Sequence, residues 1–372
     1  MERAADLLKK VYAGRRVLVT GHTGFKGSWL ALWLSSLGAE VIGYALDPYT
    51  GQDNFVIAQV AEPITDVRGD VRDLDMLSKV VSTYRPEFVF HLAAQALVRR
   101  GYESPKETYD VNVGGTVNLF ECCRSSGSVK VIVNITSDKC YENKEWLWGY
   151  RENDPMGGYD PYSSSKGCAE LVTAAYRNSF FNPAQLKEHG KALSSVRAGN
   201  VIGGGDWAKD RIIPDCIRAL EAGKAIVVRN PQAVRPWQFV LEPLGGYLML
   251  GAHMVEHPAE YAGPWNFGPE SASVVTVRKV VELVITAWGS GAWKDGALQN
   301  QPHEASLLAL DISKARYRLG WTPVLTVEEA VSEAVAWYRE YRSGSDMQSF
   351  CRAQIDRYME GMQIDDAGRK RD

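Results

Sequence analysis

The chain has 372 residues, and 42 Lys and Arg against 45 Asp and Glu leave a net charge of −3. That near-balance excludes a general nucleic-acid binder, which carries a basic excess or stripe. A hydrophobic share of 45% with 10% aromatics excludes a disordered chain, and no apolar run reaches the roughly 18 residues of a membrane span.

Domains of roughly 100–200 residues imply two lobes. The opening segment MERAADLLKKVYAGRR is charged and amphipathic and lacks the apolar stretch of a secretory signal. Cys122, Cys123, Cys140, Cys168, Cys216 and Cys351 form no CxxC and do not cluster with His. They read as reduced thiols of a cytoplasmic protein, neither disulfides nor a metal site.

In chain order, Arg16–Thr20 (RVLVT) reads as a first strand, followed by a glycine-rich turn and a helix over 28–37. Further strands are expected at 41–46, 64–67, 88–92, 129–135 and 192–197, with helices at 73–84, 105–125 and 165–180 between them. Apolar strands alternating with helices predict an α/β fold, a doubly wound parallel sheet covered on both faces. Beyond about residue 200 the pattern loosens into turn-rich stretches between helices at 242–255, 277–287 and 327–341. The expected division is 1–198 for a dinucleotide-binding lobe and 199–372 for a smaller, mostly helical substrate lobe. Segments such as 240–270 are candidates to return to the first. The charged C-terminal residues DDAGRKRD are expected to fray.

Gly21, Gly24 and Gly27 stand in the spacing GxxGxxG directly after the first strand and open a helix. Glycines there permit a tight turn, close approach of backbone to a pyrophosphate, and packing of helix on strand. The free N–H groups and dipole at the helix start favour the anion. An acid about 20 residues further on would bind the ribose hydroxyls of NAD. Asp47 is near that place, and no Arg stands beside it in sequence to hold a 2′-phosphate, so the turn leans to NAD over NADP. Asp70 closes the third strand, where either adenine contact or a helix cap fits it, and Asp73 fits the cap equally well.

Tyr162 and Lys166 form a YxxxK pair. On a helix they share one face. A neighbouring ammonium favours the phenolate and so lowers a Tyr pKa, which turns the phenol into a base for a hydroxyl proton. Ser137, in Thr136-Ser137-Asp138-Lys139, ends the fifth strand at the carboxyl edge, where ligands of doubly wound sheets bind. It can hydrogen-bond the oxygen being oxidised.

With these motifs the chain resembles the extended short-chain dehydrogenase/reductases, the Rossmann-like group of nucleotide-sugar epimerases and dehydratases. The likeness runs from VTGHTGFKGSWL through GDVRD, FHLAAQ, DVNVGGTVNLFE, ITSDKCY and YSSSK to RAGNVIGGGDWAKDRIIPD, RPWQFVLEPLGGYL, WNFGP and LGWTP. GHTGFKGSWL, SDK and GNVIGGGDWAKDR point to the branch acting on CDP-glucose. The resemblance implies recycled NAD held by Gly21, Thr23, Gly24, Phe25, Lys26, Gly27, Asp70, Val71, Leu92, Ala93, Ala94, Tyr162 and Lys166. It implies C4 oxidation by Tyr162 with Lys166 and Ser137, protonation of the leaving 6-hydroxyl by Asp138, and hydride return to C6. It also implies substrate contacts from Gln95, Asn200, Arg211 and Arg235.

Lys139 departs from the related thymidine-diphosphate-sugar enzymes, where a Glu serves as the C5 base. Three roles fit it: a neutral amine base, a cation beside the enolate, or a plain partner of a carboxylate. Phe239 stands where the branch usually has His. Trp237 and His91 read as core residues, Arg197 as a tie between strand and loop, and His303-Glu304 has no partner ligands, so no metal is assigned. Another nucleotide-sugar dehydratase, a 4-epimerase and a non-enzymatic sensor are the rival readings. The family pairs through helices at 105–125 and 165–180, which implies a homodimer or homotetramer; within one chain those faces could equally be buried.

Overall fold

The computed structural model describes residues 4–296 and 307–362. The His303-Glu304 pair and the charged tail lie outside the described residues. Six strands of the main sheet are β1 (Arg16–Thr20), β2 (Glu40–Ala45), β3 (Thr65–Arg68), β4 (Phe88–His91), β5 (Val131–Ile135) and β6 (Ala192–Arg197). A seventh, Pro264–Asn266, pairs with β6. The order is Pro264–Asn266, β6, β5, β4, β1, β2, β3, and all neighbours are parallel.

The strands alternate their side chains between two cores, as the period of two requires. Val17 and Val19 of β1 face one core with Trp29, Trp33, Phe90 and Tyr247. Leu18 faces the other with Val89, Ile132, Leu119 and Phe120. Both faces are therefore covered, and the near-continuous apolar strands follow from that. The chain reverses its winding between β1 and β4, which leaves a crevice at their carboxyl ends.

Several expected boundaries move, each for a local reason. The helix expected from 165 starts at Pro161 instead. Asp160 accepts from Ser163 N at 3.0 Å and Pro161 takes the first helical position. Tyr162 thus stands in the first turn. The expected continuous helix at 105–125 is broken by a π turn at Asp110–Gly114. Asp73, not Asp70, caps the helix Leu74–Tyr84, accepting from Met76 N at 2.9 Å.

The second half contains more strand than its sequence suggested. Val201–Ile202 pairs with Gln238–Phe239, Val234–Pro236 with Val274–Thr276, and Ile226–Val228 with Trp293–Asp295. Pairs of two or three residues are too short to show a period of two. The helix Leu241–Glu256 packs on the main sheet side, where Leu248 O accepts from Tyr12 OH at 2.8 Å. The helix Met347–Gly361 also reaches back to the first lobe, with Arg352 donating to Ser36 Oγ at 2.8 Å and Tyr358 edge-on to Trp33. Among the described residues no helix is long and apolar enough to cross a membrane.

Candidate active site

The glycine turn forms at the carboxyl end of β1. Gly21 has φ +75°, and a Cβ there would lie 2.7 Å from Ala93 N. A Cβ on Gly27 would lie 2.0 Å from Gly21 O, so helix and turn touch backbone to backbone. Gly24 differs. A Cβ there would meet only Gly21 O, at 3.4 Å, and no side chain caps the helix Phe25–Ser36 that it opens. An open cradle in front of free helical N–H groups fits a dinucleotide pyrophosphate. Thr23 Oγ1 donates to Leu46 O at 2.9 Å and ties the turn to the end of β2. Val71 is buried, and Leu92, Ala93 and Ala94 line the carboxyl end of β4, half-buried. Asp70 is already engaged by the Arg72 side chain, 2.5 Å away, which holds its carboxyl below the usual range.

The reacting groups gather on the 3-10 turn Asp138–Cys140 and the first turn of the helix Pro161–Ser179. Ser137 Oγ donates to Asp138 Oδ1 at 2.9 Å and also hydrogen-bonds the Tyr162 phenol. Asp138 is buried, and its Oδ2 has no hydrogen-bond partner among the described residues. Gly199 lies directly behind it, where a Cβ would fall 1.8 Å from Oδ2. Lys166 is buried and donates to Ile135 O at 3.4 Å. Lys26 feels the charges of Lys166, Arg211 and Asp138, so the glycine turn delivers an ammonium to the same space.

The titration pattern corrects one expectation. Burial pushes Tyr162 up to about 12, while the Ser137 hydrogen bond and Arg211 pull it down and Asp138 raises it. Lys166 is not among the main influences on it. Burial lowers Lys166 itself to about 8, opposed by Glu170, and lowers Lys26 likewise to about 8. The Ser137 hydrogen bond and the Arg211 charge, rather than Lys166, are what favour the Tyr162 phenolate against burial.

Not every expected contact residue faces the site. Gln95 is buried, its Nε2 donating to Thr108 Oγ1 at 2.9 Å and its Oε1 accepting from Leu97 N at 2.6 Å. These two bonds fix the amide in the loop after β4. Arg211 bonds Asp206 at 2.8 Å and reaches toward Tyr162. Asn200 sits at φ +49° after β6, and Arg235 donates to Val234 O on the strand Val234–Pro236. Lys139 is exposed and has no carboxylate partner among the described residues.

The core assignments stand. His91 is held between Thr20 Oγ1 at 2.7 Å and Thr116 Oγ1 at 3.3 Å, and burial lowers it to about 3. Arg197 pairs with Glu170 at 2.8 Å and donates to Tyr141 OH at 2.6 Å, joining β6 to the loop after β5. Trp237 is buried and donates to Val275 O. Phe239 packs edge-on against Trp29, so position 239 is core and needs no polar group.

Three participants were missed in the sequence. Asn112, in the π turn, joins Gln95 O at 3.0 Å, Gln95 N at 2.8 Å and Ser165 Oγ at 2.8 Å, and so locks the loop after β4 to the Tyr162 helix. π turns commonly mark functional sites, and the Asn before Gly114-Gly115 was the available signal. Gly199 shapes Asp138. Tyr247 is buried near Asp138 and Tyr162, its hydroxyl without a hydrogen-bond partner among the described residues. Nothing local in LGGYL marks it.

A sheet that switches between β1 and β4, a glycine turn at that crevice, and a Ser–Tyr–Lys group beside a buried acid define an extended short-chain dehydrogenase/reductase. The chain belongs to the family described as GDP-mannose 4,6 dehydratase, whose model matches residues 18–334. The CDP-glucose 4,6-dehydratase of Salmonella typhimurium is 52% identical over 353 residues, 94% of this chain and 98% of that protein. A UDP-glucose 4-epimerase of Mycolicibacterium smegmatis is 27% identical over 87% of this chain and 98% of its own length. Among solved structures, a dTDP-glucose 4,6-dehydratase of Streptomyces venezuelae with NAD bound superposes with TM-score 0.75 at 23% identity, covering 90% of this chain and 99% of that one.

Proposed function

We propose that this protein dehydrates CDP-D-glucose to CDP-4-keto-6-deoxy-D-glucose with recycled NAD. The observation that carries the reading is the buried, unpartnered Oδ2 of Asp138 beside the Ser137–Tyr162 pair, in a chain 52% identical to a CDP-glucose 4,6-dehydratase. An oxidation site needs only the Ser and Tyr. Elimination needs an acid as well, and a buried carboxyl oxygen without a partner is one held for a ligand.

Bound NAD would supply a hydride acceptor at C4 of the sugar and a hydride donor at C6. Gly21, Thr23, Gly24, Phe25, Lys26 and Gly27, with Val71, Leu92, Ala93 and Ala94, would hold it. Tyr162 takes the 4-hydroxyl proton, oriented by Ser137. The 4-keto group acidifies the C5 proton, which passes to Lys139 at the position of the C5 base while Asp138 protonates the departing 6-hydroxyl, so one water leaves across C5–C6. Arg211, Arg235 and Asn200 would hold the sugar diphosphate.

Residues 1–198 would form the cofactor lobe and 199–372 the substrate lobe, with 241–266 and the helix Met347–Gly361 returning to the first. A homodimer through the helices at 105–125 and 161–179 is supported by apolar groups left exposed there, Tyr109 at 37% and Leu171 at 61%.

The test is incubation with CDP-glucose, and separately with dTDP-, UDP- and GDP-sugars, followed by the alkali-induced absorbance of a 4-keto sugar. The keto product forms from CDP-glucose, and Tyr162→Phe lowers turnover by about 10²–10⁴-fold, the usual contribution of a general base. A 4-epimer with no keto sugar from any of the four would refute the reading.

A further inference from the structure

The sequence offered no Arg beside Asp47, but the fold brings one. β2 and β3 pair with Ala45 opposite Arg68, which puts Arg68 at the same sheet edge as Asp47. Its guanidinium is held on three sides: by Asp66 at 2.8 Å, by Leu46 O at 3.2 Å and by Asp47 at 3.8 Å. It also lies over the Phe55 ring, 4.8 Å from the centroid. Leu46 O is the same carbonyl that Thr23 of the glycine turn bonds, so the group is fixed relative to the cradle.

We propose that Arg68 is a latent ligand for a 2′-phosphate, and that Asp47 and Asp66, by holding it, make this site select NAD over NADP. The inference deepens the proposed function by naming what discriminates the cofactor. In dinucleotide folds an acid about 20 residues beyond the turn bonds the ribose hydroxyls, whereas an Arg nearby accommodates a 2′-phosphate. Here one edge holds both.

Two carboxylates against one guanidinium leave the edge net negative, because His22 adds no charge. Burial lowers the His22 pKa, against the pull of Asp66. A ribose diol can donate to Asp47, whose side chain is 88% exposed. A phosphate dianion meets repulsion instead. Asp66 cannot swing away to release Arg68. Its Oδ1 is bonded to His22 Nε2 at 2.8 Å, and His22 is fully buried within the glycine turn, with its ring against Gly43. Asp66 is thus a positioning residue acting through Arg68, and His22 anchors Asp66.

The test measures binding of NAD and NADP to cofactor-free protein by calorimetry, with no sugar present, and identifies the nucleotide that survives purification. Asp47→Asn keeps the shape and removes the charge. It should raise NADP affinity about fivefold or more, since one unit charge at about 4 Å is worth at least about 1 kcal/mol, and weaken NAD. Asp47→Asn with Arg68→Met should lose that gain. Arg68 is part-exposed, so the double variant is expected to fold, as its melting curve checks, and Arg68→Gln serves as a second removal. Unchanged NADP affinity in Asp47→Asn overturns the proposal, as does a gain that persists without Arg68. Because no sugar is involved, the expected binding pattern with no turnover of any nucleotide sugar would sink the dehydratase reading alone.

Discussion

Gly199→Ala is the sharpest perturbation of the acid. The added Cβ would fall 1.8 Å from Asp138 Oδ2 and 2.1 Å from its Cγ, where ordinary contact begins at 3.4 Å. The carboxylate must therefore retreat by about 1.6 Å, since 3.4 − 1.8 = 1.6, or the strand end must shift with it. A misplacement of about 1 Å in a reacting group can cost about 10²-fold. We expect kcat to fall at least about 100-fold, equivalent to about 2.7 kcal/mol, with KM little changed. Overpacking should cost a further 1–3 kcal/mol of stability, roughly. The assay is formation of 4-keto sugar alongside thermal melting, for Gly199→Ala, Asp138→Ala and the double variant. If the clash acts through Asp138, the double variant is no slower than Asp138→Ala alone, because residues in contact do not add. A folded Gly199→Ala with kcat within about threefold of the parent would refute the role given to Asp138.

Glu170→Gln should destabilise the protein by about 3–5 kcal/mol, because it leaves Arg197 buried without its counter-charge. Both side chains are 4% exposed. Adding Arg197→Met should recover part of the loss, and denaturant melts of the two variants check this. Glu242 gives a pH dependence. Burial raises its carboxyl from 4.5 to about 7, although Leu325 N, Tyr358 OH and Val324 N donate to it and favour ionisation. A folded pKa above the unfolded one means stability fully present below pH 4.5 and lost as pH rises to about 7, in total about 3 kcal/mol. Melting temperature measured across that window should fall more steeply for the parent than for Glu242→Gln; parallel curves would show that Glu242 does not titrate there.

Most of the candidate site was readable as local motifs. Ser137, Asp138, Tyr162 and Lys166 lie in two short runs, ITSDK and YSSSK, and glycines 21, 24 and 27 in a third. Local spacing suffices when a role needs a turn or one helical face. Two residues show what local spacing leaves open. Gln95 and Asp70 stand where a ligand contact is expected, and the fold also ties their side chains to Thr108 and Leu97, and to Arg72. The sequence lists the donors and acceptors without saying which are already paired.

The alternation of apolar strands and helices determined the parallel sheet, because only burial on both faces accounts for such strands. The glycine spacing determined the cradle, because a Cβ at two of its positions would strike backbone. Everything that depended on residues far apart in the chain was decided by tertiary structure. Gly199 became the wall behind Asp138, and Tyr247 came to face it. The helix Met347–Gly361 returned to the first lobe, and Arg68 arrived beside Asp47 across the β2–β3 pairing. Charge shows the division most clearly. The sum of −3 is a property of composition. The burial that lowers Lys26 and Lys166, and the cations Lys166 and Arg211 that lower Lys26 further, exist only once the sheet has brought residues 26, 166 and 211 together.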